Sequence, residues 1–576
     1  MKKILLGNQA IARGAYEAGA TVVSAYPGTP STEITENAVK YDGVYAEWSP
    51  NEKVAMEVAI GASIAGARCM VCMKHVGVNV AADPLFSVAY AGVNGGLVIV
   101  AADDPSMHSS QNEQDSRYYA MSAHIPMLEP SDSQEAKDFT KLAFELSEKY
   151  DTPVFVRSTT RVAHSQSFVE LQDKVEFKLL PYVKDVNKYT LMPSTAKIRH
   201  IAVEKREVQL ASDCETLPIN KCEYNDTKLG IVCSGAVYHY VKEALPEASV
   251  YKIGMVYPMP IEGIKAFARR VDKLIVIEEL EPIFERELKS HGISCEGKCY
   301  FGVQGELSAS AIREKLLNIL PNKADTTVPV RPPVMCAGCP HRSIFYLLNK
   351  LKLTVCADIG CYTLGAQPPL SAVDTVICMG ASIGMAHGME KARGRENTKN
   401  VVAVIGDSTF VHSGITGLIN AVYNKSAITL LILDNSTTGM TGHQDHPATG
   451  KTLSGETTFK LNLEEVVKCA GVKHLSVVDA YDLSACEKAI VDATNIDEVS
   501  VVIVKRPCAL LIKLNETPYC IDDCKKCGAC LKIGCPAIMK KLDGSVKINA
   551  EQCVGCGVCA ELCKFNAIKR IVKEAK

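Results

Sequence analysis

The sequence predicts a multidomain α/β fold that ends in a small cysteine-rich module. Short apolar runs alternate with helix-like stretches along most of the chain, which is typical of parallel sheets with helices on both faces. The chain has 576 residues, enough for several domains. Nine of its 24 cysteines fall within residues 520–576, a clustering that indicates metal binding in a reducing compartment rather than disulfides.

The composition argues against two broad classes of protein. Lysine and arginine number 63 against 65 aspartates and glutamates, so the net charge is −2 and offers no basic footprint for nucleic acid. No apolar stretch is long enough to cross a bilayer. The opening residues, MKKILLGNQAIARG, hold too short an apolar run for a signal peptide and indicate a strand followed by a helix. We therefore expect a cytoplasmic protein without membrane or nucleic-acid partners.

Apolar patterning divides the chain into five segments. Strand-like runs form three groups. The first group lies at 21–27, 70–75, 96–102 and 153–158, and the second at 229–237 and 273–280. The third lies at 354–360, 375–380, 401–406, 429–435, 475–480 and 500–505. The stretch 181–226 is polar without a sustained period, and prolines in 322–333 break regular structure. We expect an α/β domain over 1–180, a linker or insertion over 181–226, a smaller α/β domain over 227–320, a third over 334–512 and the cysteine-rich module over 513–576.

The cysteine-rich module carries two runs of four cysteines. The first has the spacing C-x2-C-x2-C-x4-C-P and the second C-x2-C-x2-C-x3-C. Three cysteines spaced in this way can wrap one corner of an iron–sulfur cube, and in two-cluster ferredoxins the remote fourth cysteine ligates the other cluster. The runs predict two [4Fe–4S] sites, one on Cys524, Cys527, Cys530 and Cys563 and one on Cys553, Cys556, Cys559 and Cys535. A pair of four-thiolate zinc sites is the alternative.

Polar residues follow two apolar runs of the third α/β domain. The run 401–406 ends in Gly406, Asp407 and Ser408, and the run 429–435 ends in Asp434 and Asn435. If one crossover joins these strands, both polar ends lie at the carboxyl edge of the sheet, where ligands bind. A carboxylate and an amide oxygen there suit Mg²⁺ together with ligand phosphates. The pattern is similar to the thiamine-diphosphate motif, which begins GDG and ends NN; a simple turn is the alternative.

Thiamine enzymes also need a glutamate that protonates the aminopyrimidine ring of the cofactor. Glu52 opens a helix-like stretch, NEKVAMEVAIGASIAG, that resembles the corresponding segment. The alternative is an ordinary first-turn glutamate stabilised by the helix dipole, and Glu47 and Glu57 are nearby rivals.

Several further motifs resemble 2-oxoacid:ferredoxin oxidoreductases. The loop 26–31, YPGTPS, is similar to their Y-P-x-T-P-S loop. The resemblance extends over essentially the whole chain to the alpha subunits that act on indolepyruvate, which share the C-x4-C-P spacing. The segments that carry it are MKHVGVNVAADPL (73–85), CAGCPHR (336–342), ADIGCYTLG (357–365), GDSTFVHSGI (406–415) and LDNSTTGMTGHQDHP (433–447).

This resemblance implies a role for each segment. Residues 1–180 and 334–512 would be doubly wound domains that bind the pyrimidine and the diphosphate of thiamine diphosphate, 227–320 a transketolase-C-like domain, and 513–576 a two-cluster ferredoxin-like domain. It also implies catalytic residues, with Thr29 near the substrate carboxylate and Glu52 as the activating glutamate. The Mg²⁺ ligands would be Asp407, Asn435 and the Thr437 carbonyl oxygen, with Gly406 and Ser408 around them, and the backbone amides of Gly380 to Gly384 would approach the diphosphate. Possible acid–base or substrate contacts are His75, His387, His412 and His443. Each histidine alone is more often a packed or surface residue.

Four further cysteines raise the question of a third cluster. Cys336 and Cys339 form a C-x2-C pair, and Cys361 and Cys508 could complete a site like the proximal cluster of single-chain pyruvate enzymes of this superfamily. Buried free thiols are the alternative. Cys69, Cys72, Cys233, Cys356 and Cys378 lie within apolar runs and are expected in the core.

The implied reaction is oxidative decarboxylation of indolepyruvate, phenylpyruvate or 4-hydroxyphenylpyruvate with CoA, giving aryl-acetyl-CoA, CO2 and reduced ferredoxin. The implied partners are a smaller beta subunit, because no segment corresponds to the domain on the CoA side, and an external ferredoxin. Two alternatives are a non-oxidative 2-oxoacid decarboxylase and an electron-carrier subunit with degenerate α/β domains. Eight cluster cysteines speak against the first, and Glu52, Asp407 and Asn435 together speak against the second.

Overall fold

The chain forms two compact units, Met1–Asp325 and Thr326–Lys576. The computed structural model describes residues 1–320, 328–329, 331–512 and 518–571. Most of the linker expected at 322–333 and the domain boundary expected at 512/513 therefore lie outside the described residues. None of the helices in those ranges combines the length and apolar character that crossing a membrane requires.

The first unit contains thirteen strands and fifteen α-helices among its described residues. The strands are β1 (Lys2–Leu6), β2 (Val22–Ala25), β3 (Tyr45–Trp48), β4 (Cys69–Lys74), β5 (Leu97–Asp103), β6 (Met127–Leu128), β7 (Val154–Thr159), β8 (Gln166–Glu170), β9 (Lys221–Glu223), β10 (Asp226–Ser234), β11 (Ala248–Ile253), β12 (Met255–Tyr257) and β13 (Lys273–Ile277). The helices are α1 (Gly7–Glu17), α2 (Thr32–Ala38), α3 (Glu52–Ile64), α4 (His75–Val80), α5 (Ala82–Ala91), α6 (Arg117–Ala123), α7 (Ser133–Tyr150), α8 (Thr160–His164), α9 (Val186–Tyr189), α10 (Pro193–Cys214), α11 (Val237–Ala244), α12 (Ile261–Ala268), α13 (Ile283–Ser290), α14 (Lys298–Phe301) and α15 (Ala309–Leu317).

Two larger sheets organise the first unit. A seven-stranded sheet has the order β12-β6-β7-β5-β4-β2-β3, and all its pairs are parallel except β12 with β6. Every residue of β4, β5 and β7 is buried, as expected for parallel strands with helices on both faces. A four-stranded sheet has the order β13-β10-β11-β9. The expected α/β pattern is confirmed, but β12 comes from the second predicted domain and completes the sheet of the first.

The segment 181–226, expected to be a linker or insertion from its lack of a sustained apolar period, contains the 22-residue helix α10. Long polar side chains hold this helix in place. Arg199 Nε donates to the carbonyl oxygen of Tyr90 at 2.6 Å, and Arg206 Nη2 to that of Ala89 at 2.9 Å. The helix was missed in the sequence because these bonds, together with few apolar contacts, replace a regular apolar stripe.

The second unit is built on a five-stranded parallel sheet with the order β14-β15-β16-β18-β17. Its described strands are β14 (Thr354–Cys356), β15 (Val401–Gly406), β16 (Thr429–Asp434), β17 (His474–Asp479), β18 (Ser500–Lys505), β19 (Tyr519–Ile521), β20 (Ile538–Lys540), β21 (Val546–Ile548) and β22 (Ile568–Arg570). Its helices are α16 (His341–Lys350), α17 (Ala381–Arg393), α18 (Asp407–Thr409), α19 (Ile415–Tyr423), α20 (Leu463–Cys469), α21 (Leu483–Thr494) and α22 (Val558–Glu561). One apolar core continues from this sheet into the cysteine-rich module.

The strand expected at 375–380 is not formed. Thr375 makes a single bridge to Cys356, and the residues after it lead into a turn before α17. Ile377 is 61% exposed, so the apolar run does not reflect burial. Cys378 is likewise exposed, whereas Cys69, Cys72, Cys233 and Cys356 are buried as expected.

Candidate active site and cluster sites

Three oxygen atoms converge at the carboxyl edge of the five-stranded sheet. Asp407 follows β15 and Asn435 follows β16, and the parallel pairing of these strands brings both side chains to one edge. The Asn435 side-chain oxygen faces only acceptors, the Thr437 carbonyl oxygen at 2.9 Å and Asp407 Oδ1 at 3.1 Å. Such oxygens repel one another unless a cation lies among them or the amide turns its NH2 group inward. The donor set fits Mg²⁺.

The rest of the Asp407 carboxylate is held by its surroundings. Asp407 Oδ2 accepts a hydrogen bond from Ser436 N at 2.8 Å, and Oδ1 accepts one from Ser408 N at 3.0 Å. His446 Nε2 lies 3.3 Å from Oδ2, and both side chains are buried. Gly406 makes room for an aromatic ring, since a Cβ there would lie 2.7 Å from Tyr362 Cε1.

The glycine segment Gly380 to Gly384 forms the N-cap and first turn of α17. Gly380 has φ = 84°, and a Cβ there would lie 2.1 Å from Ser413 Oγ, which explains the glycine. The Gly380 N–H donates to Asp358 Oδ1 at 2.8 Å, and Ser382 N–H to Asp358 Oδ2 at 3.3 Å. Burial raises the pKa of Asp358, which is fully enclosed. The Gly380 amide, the first of those expected to face a diphosphate, is therefore paired with the Asp358 carboxylate. A Cβ on Gly384 would meet nothing within 4 Å, so the space beside that residue is open.

A second group of polar side chains lies at the carboxyl edge of the seven-stranded sheet in the first unit. The parallel neighbours β3, β2 and β4 bring the half-buried Thr29 and the buried Glu52 and Lys74 to this edge. Glu52 is 5% exposed and opens α3, whose N-cap Asn51 accepts from Val54 N. Burial lowers the pKa of Lys74 to about 8, while Asp104 and Glu52 act in the opposite direction.

The structure separates Glu52 from its two rivals. Glu57 is exposed and pairs with Lys53 on the same helix. Glu47 accepts hydrogen bonds at 2.7 Å from the hydroxyls of Tyr45 and Ser49. Glu52 is the buried one of these three carboxylates.

The four candidate histidines occupy different surroundings. His75 is buried at the start of α4, and His387 is half-buried on α17. His412 is buried, with Nδ1 2.9 Å from Ser413 Oγ. His443 Nε2 lies 3.7 Å from the sulfur of Cys508, a predicted cluster ligand.

Each of two cavities in the cysteine-rich module is lined by the four cysteines of one predicted set, and Cys339 also lines the second cavity. One is lined by Cys524, Cys527, Cys530 and Cys563 and the other by Cys535, Cys553, Cys556 and Cys559. These are the two predicted sets, including the exchange of the fourth cysteine between the runs. Burial raises the pKa of Cys530, Cys556 and Cys559, so the metal-free thiols stay protonated and metal binding must displace protons. Within the described ranges, no three His, Cys, Asp or Glu side chains converge on a single metal ion.

The four cysteines considered for a third cluster come together near Asn435. In addition to burial, the nearby Cys508 and Cys336 raise the pKa of Cys361, and Cys361 and Cys336 raise that of Cys339. Burial raises the pKa of Cys339 to about 12 and that of Cys361 to about 11. The Cys508 N–H donates to the Asn435 carbonyl oxygen at 2.9 Å. Four thiols therefore lie near one another beside the oxygen-rich edge.

The loop 336–339 also contacts the cysteine-rich module. A Cβ on Gly338 would lie 2.0 Å from Val554 Cγ2, and Val554 lies between Cys553 and Cys556 in the sequence. Ala337, Gly338 and Cys339 help to line the cavity of the Cys535 set.

Sequence reasoning missed several residues around these sites. Lys74, Asp358 and His446 lie inside the segments that carry the family resemblance, and so does Arg342, which follows the C-x2-C pair. Their position within those segments was the available signal, whereas their partners are distant in sequence and become visible only in the structure.

Three parts of the chain match known families. Residues 13–212 match "Pyruvate flavodoxin/ferredoxin oxidoreductase, thiamine diP-bdg", residues 358–504 match "Thiamine pyrophosphate enzyme, C-terminal TPP binding domain", and residues 546–569 match "4Fe-4S binding domain". Binding of thiamine diphosphate and of a [4Fe–4S] group follows from these matches.

Full-length relatives extend the similarity to the whole chain. The chain is 43% identical over 614 residues to "Indolepyruvate oxidoreductase subunit IorA" of Archaeoglobus fulgidus, covering 99% of this chain and 97% of the relative. It is 39% identical to the protein of the same name from Pyrococcus horikoshii and 38% identical to that from Methanothermobacter thermautotrophicus, each covering 99% of this chain and 97% of the relative. The chain therefore belongs to the IorA family of indolepyruvate oxidoreductase subunits and is an iron–sulfur-linked 2-oxoacid oxidoreductase.

Proposed function

We propose that this chain oxidatively decarboxylates indolepyruvate, phenylpyruvate and 4-hydroxyphenylpyruvate with CoA, giving aryl-acetyl-CoA, CO2 and reduced ferredoxin. One observation carries the proposal. The Asn435 side-chain amide lies against Asp407 and the Thr437 carbonyl oxygen, and its backbone carbonyl oxygen accepts a hydrogen bond from Cys508 N at 2.9 Å. A site suited to a diphosphate–metal group and a set of cluster cysteines are thus direct neighbours. The names of the relatives support the aryl substrates.

Each proposed residue acts on a defined atom. Thiamine diphosphate, when bound, supplies the electron sink into which a 2-oxo acid loses CO2. Asp407 Oδ1, Asn435 Oδ1 and the Thr437 carbonyl oxygen would hold the Mg²⁺ that binds the diphosphate. Glu52 would deliver a proton from its carboxyl group to the aminopyrimidine ring and take it back, and its burial keeps water away. Thr29 would orient the substrate carboxylate.

The cysteine sets define a proposed route for electrons. Oxidation of one 2-oxo acid to its CoA thioester releases two electrons, which ferredoxin accepts one at a time. We place a third [4Fe–4S] cluster on Cys336, Cys339, Cys361 and Cys508, where it would receive electrons first. The loop 336–339 lines the cavity of the Cys535 set, so that set would be second. The Cys524 set would then reduce external ferredoxin.

The third cluster can be tested by metal content. Cys508→Ser should lower the iron content of the reconstituted protein by one cluster and leave the two clusters of the cysteine-rich module in place. Cys486→Ser is the matched control, because Cys486 is buried in the same unit and its sulfur donates to the Asp479 carbonyl oxygen at 3.1 Å. Equal iron content in both variants would remove the third cluster from the proposal.

We also propose that a smaller beta subunit completes the CoA side of the site. The heteromer, loaded with thiamine diphosphate, Mg²⁺, iron and sulfide, should reduce methyl viologen anaerobically when given indolepyruvate and CoA, and should form indoleacetyl-CoA. The isolated chain should show little CoA-dependent turnover. Full activity without the partner would contradict the heteromer.

The same assay separates the competing functions. Release of indoleacetaldehyde without dye reduction would identify a non-oxidative decarboxylase and overturn the oxidoreductase assignment for this substrate. Faster dye reduction with pyruvate or 2-oxoglutarate than with the three aryl pyruvates would overturn the substrate class while leaving the reaction type intact.

A further inference from the structure

Arg342 is a buried cation between two cysteine-bearing loops of the second unit. It lies in the first turn of α16 and is 5% exposed. On one side its Nε donates to the Cys336 carbonyl oxygen at 2.9 Å, and its Nη2 donates to the Met335 carbonyl oxygen. On the other side its Nη1 donates to the Gly534 carbonyl oxygen at 2.6 Å. The guanidinium therefore joins the loop of Cys336 to the loop that leads to Cys535.

The charge of Arg342 is not balanced by a carboxylate in the described part of the chain. All of its described hydrogen bonds go to neutral carbonyl oxygens. A buried charge without an opposite charge is costly. Arg342 lines the same cavity as Cys339, Cys535 and Cys556. These cysteines are neutral as free thiols and become anions as cluster ligands, so clusters would supply the missing negative charge.

Net charge and hydrogen bonding around a cluster set its reduction potential. Reduction adds one electron to a cluster and makes it more negative by one charge, and no bond in the protein forms or breaks. A fixed cation nearby stabilises the reduced form more than the oxidised form. It therefore raises the potential of each cluster that it faces.

We propose that Arg342 is a positioning residue for electron transfer, whose single charge is shared by the Cys336–Cys339–Cys361–Cys508 site and the Cys535–Cys553–Cys556–Cys559 site. It holds the two loops together and raises both reduction potentials, which favours uptake of an electron by either cluster. This inference rests on the clusters of the proposed function. The Cys524–Cys527–Cys530–Cys563 site is lined by none of the same residues and should be independent of Arg342.

The test is a potentiometric titration followed by electron paramagnetic resonance, with the loaded heteromer. The signals are assigned beforehand by their loss in Cys508→Ser and Cys563→Ser variants. Arg342→Met should lower the equilibrium constant for reduction of the first two clusters by roughly tenfold, which corresponds to 59 mV for one electron. The cluster on the Cys524 set should keep its potential. Arg342→Lys, which retains the charge, should recover at least half of the shift.

Arg395→Met is the matched control in the same unit. Arg395 is also largely buried and donates to carbonyl oxygens, those of Thr494 and Ile496, but it pairs with Asp497 and faces no cluster cysteine in these contacts. Its loss should destabilise the protein without moving any potential. Unchanged potentials in Arg342→Met at full iron content, or equal shifts of all three clusters, would overturn the proposal. If Arg342→Met does not retain its clusters, the titration of Arg342→Lys decides. A tenfold fall in the equilibrium constant for cluster reduction in Arg342→Lys, where the charge is retained, would also overturn the proposal.

Failure of the proposed function gives a different result. If iron analysis finds two clusters instead of three in the unsubstituted protein, the site on Cys336 is wrong, and the Cys535 set alone still reports on Arg342.

Discussion

Replacing Gly77 by alanine tests whether the buried carboxylate of Glu52 takes part in catalysis. A Cβ at position 77 would lie 2.7 Å from Glu52 Oε1 and 2.8 Å from Glu52 Cγ, whereas ordinary contact begins at 3.4 Å. The carboxylate must therefore move by about 0.7 Å, the difference between 3.4 and 2.7 Å. A misplacement of about 1 Å can cost 10²-fold in rate, so we expect turnover to fall by roughly 10- to 100-fold.

The matched control is Gly61→Ala on the helix that Glu52 opens. A Cβ on Gly61 would meet nothing within 4 Å, and alanine stabilises a helix by roughly 0.5–1 kcal/mol relative to glycine. The assays are the initial rate of viologen reduction by the loaded heteromer and thermal unfolding of each variant. Gly77→Ala should lose turnover, while its free energy of unfolding should fall by no more than about 1–3 kcal/mol. Wild-type turnover in Gly77→Ala, or an equal loss in Gly61→Ala, would refute the reasoning.

Three further substitutions test separate parts of the site and fold. Glu52→Gln keeps the shape of the side chain but removes its proton, so turnover should fall by roughly 10²–10⁴-fold with cofactor still bound, while Glu57→Gln stays near neutral; an active Glu52→Gln variant would assign the proton transfer elsewhere. Asp407→Asn places an NH2 group among the converging oxygens, so the rise in melting temperature caused by Mg²⁺ with thiamine diphosphate should disappear, and an unchanged rise would locate the metal elsewhere. Burial raises the pKa of Glu279 from 4.5 to about 7, so between these values the folded chain holds a proton that the unfolded chain has lost, and stability falls as pH rises through this window. Urea unfolding at about pH 5 and about pH 8 measures this fall in the free energy of unfolding, and Glu279→Gln should make it smaller by up to about 3 kcal/mol. An unaltered pH dependence in the variant would contradict the assignment.

The elements that could be predicted from the sequence are those whose signal is local. Apolar runs located all five strands of the sheet in the second unit and the central strands of the seven-stranded sheet, since parallel strands covered on both faces are rich in apolar residues. The run 375–380 has the same composition but is partly exposed, so it misled the prediction. Helix α10 was missed for the opposite reason, because Arg199 and Arg206 hold it through carbonyl oxygens more than 100 residues earlier in the chain.

The candidate site shows the same division. The cysteine sets could be predicted from spacing alone, and Asp407 and Asn435 from their places at two strand ends. The pairing of the Gly380 amide with Asp358 could not, because it joins residues 22 positions apart that carry no shared motif. The position of Arg342 between two loops also depends on a long-range contact, with Gly534 192 residues away.

Strand β12 has a consequence for how the first unit can be divided. It pairs with β6 through Met255 opposite Leu128, so the edge of the first predicted domain is supplied by the second. A fragment that ends near residue 226 would leave the backbone groups of β6 unpaired at an exposed edge, which favours aggregation. The two predicted domains are therefore expected to melt in a single transition, and shuffling of modules between relatives should succeed only when residues 1–320 are exchanged as one block.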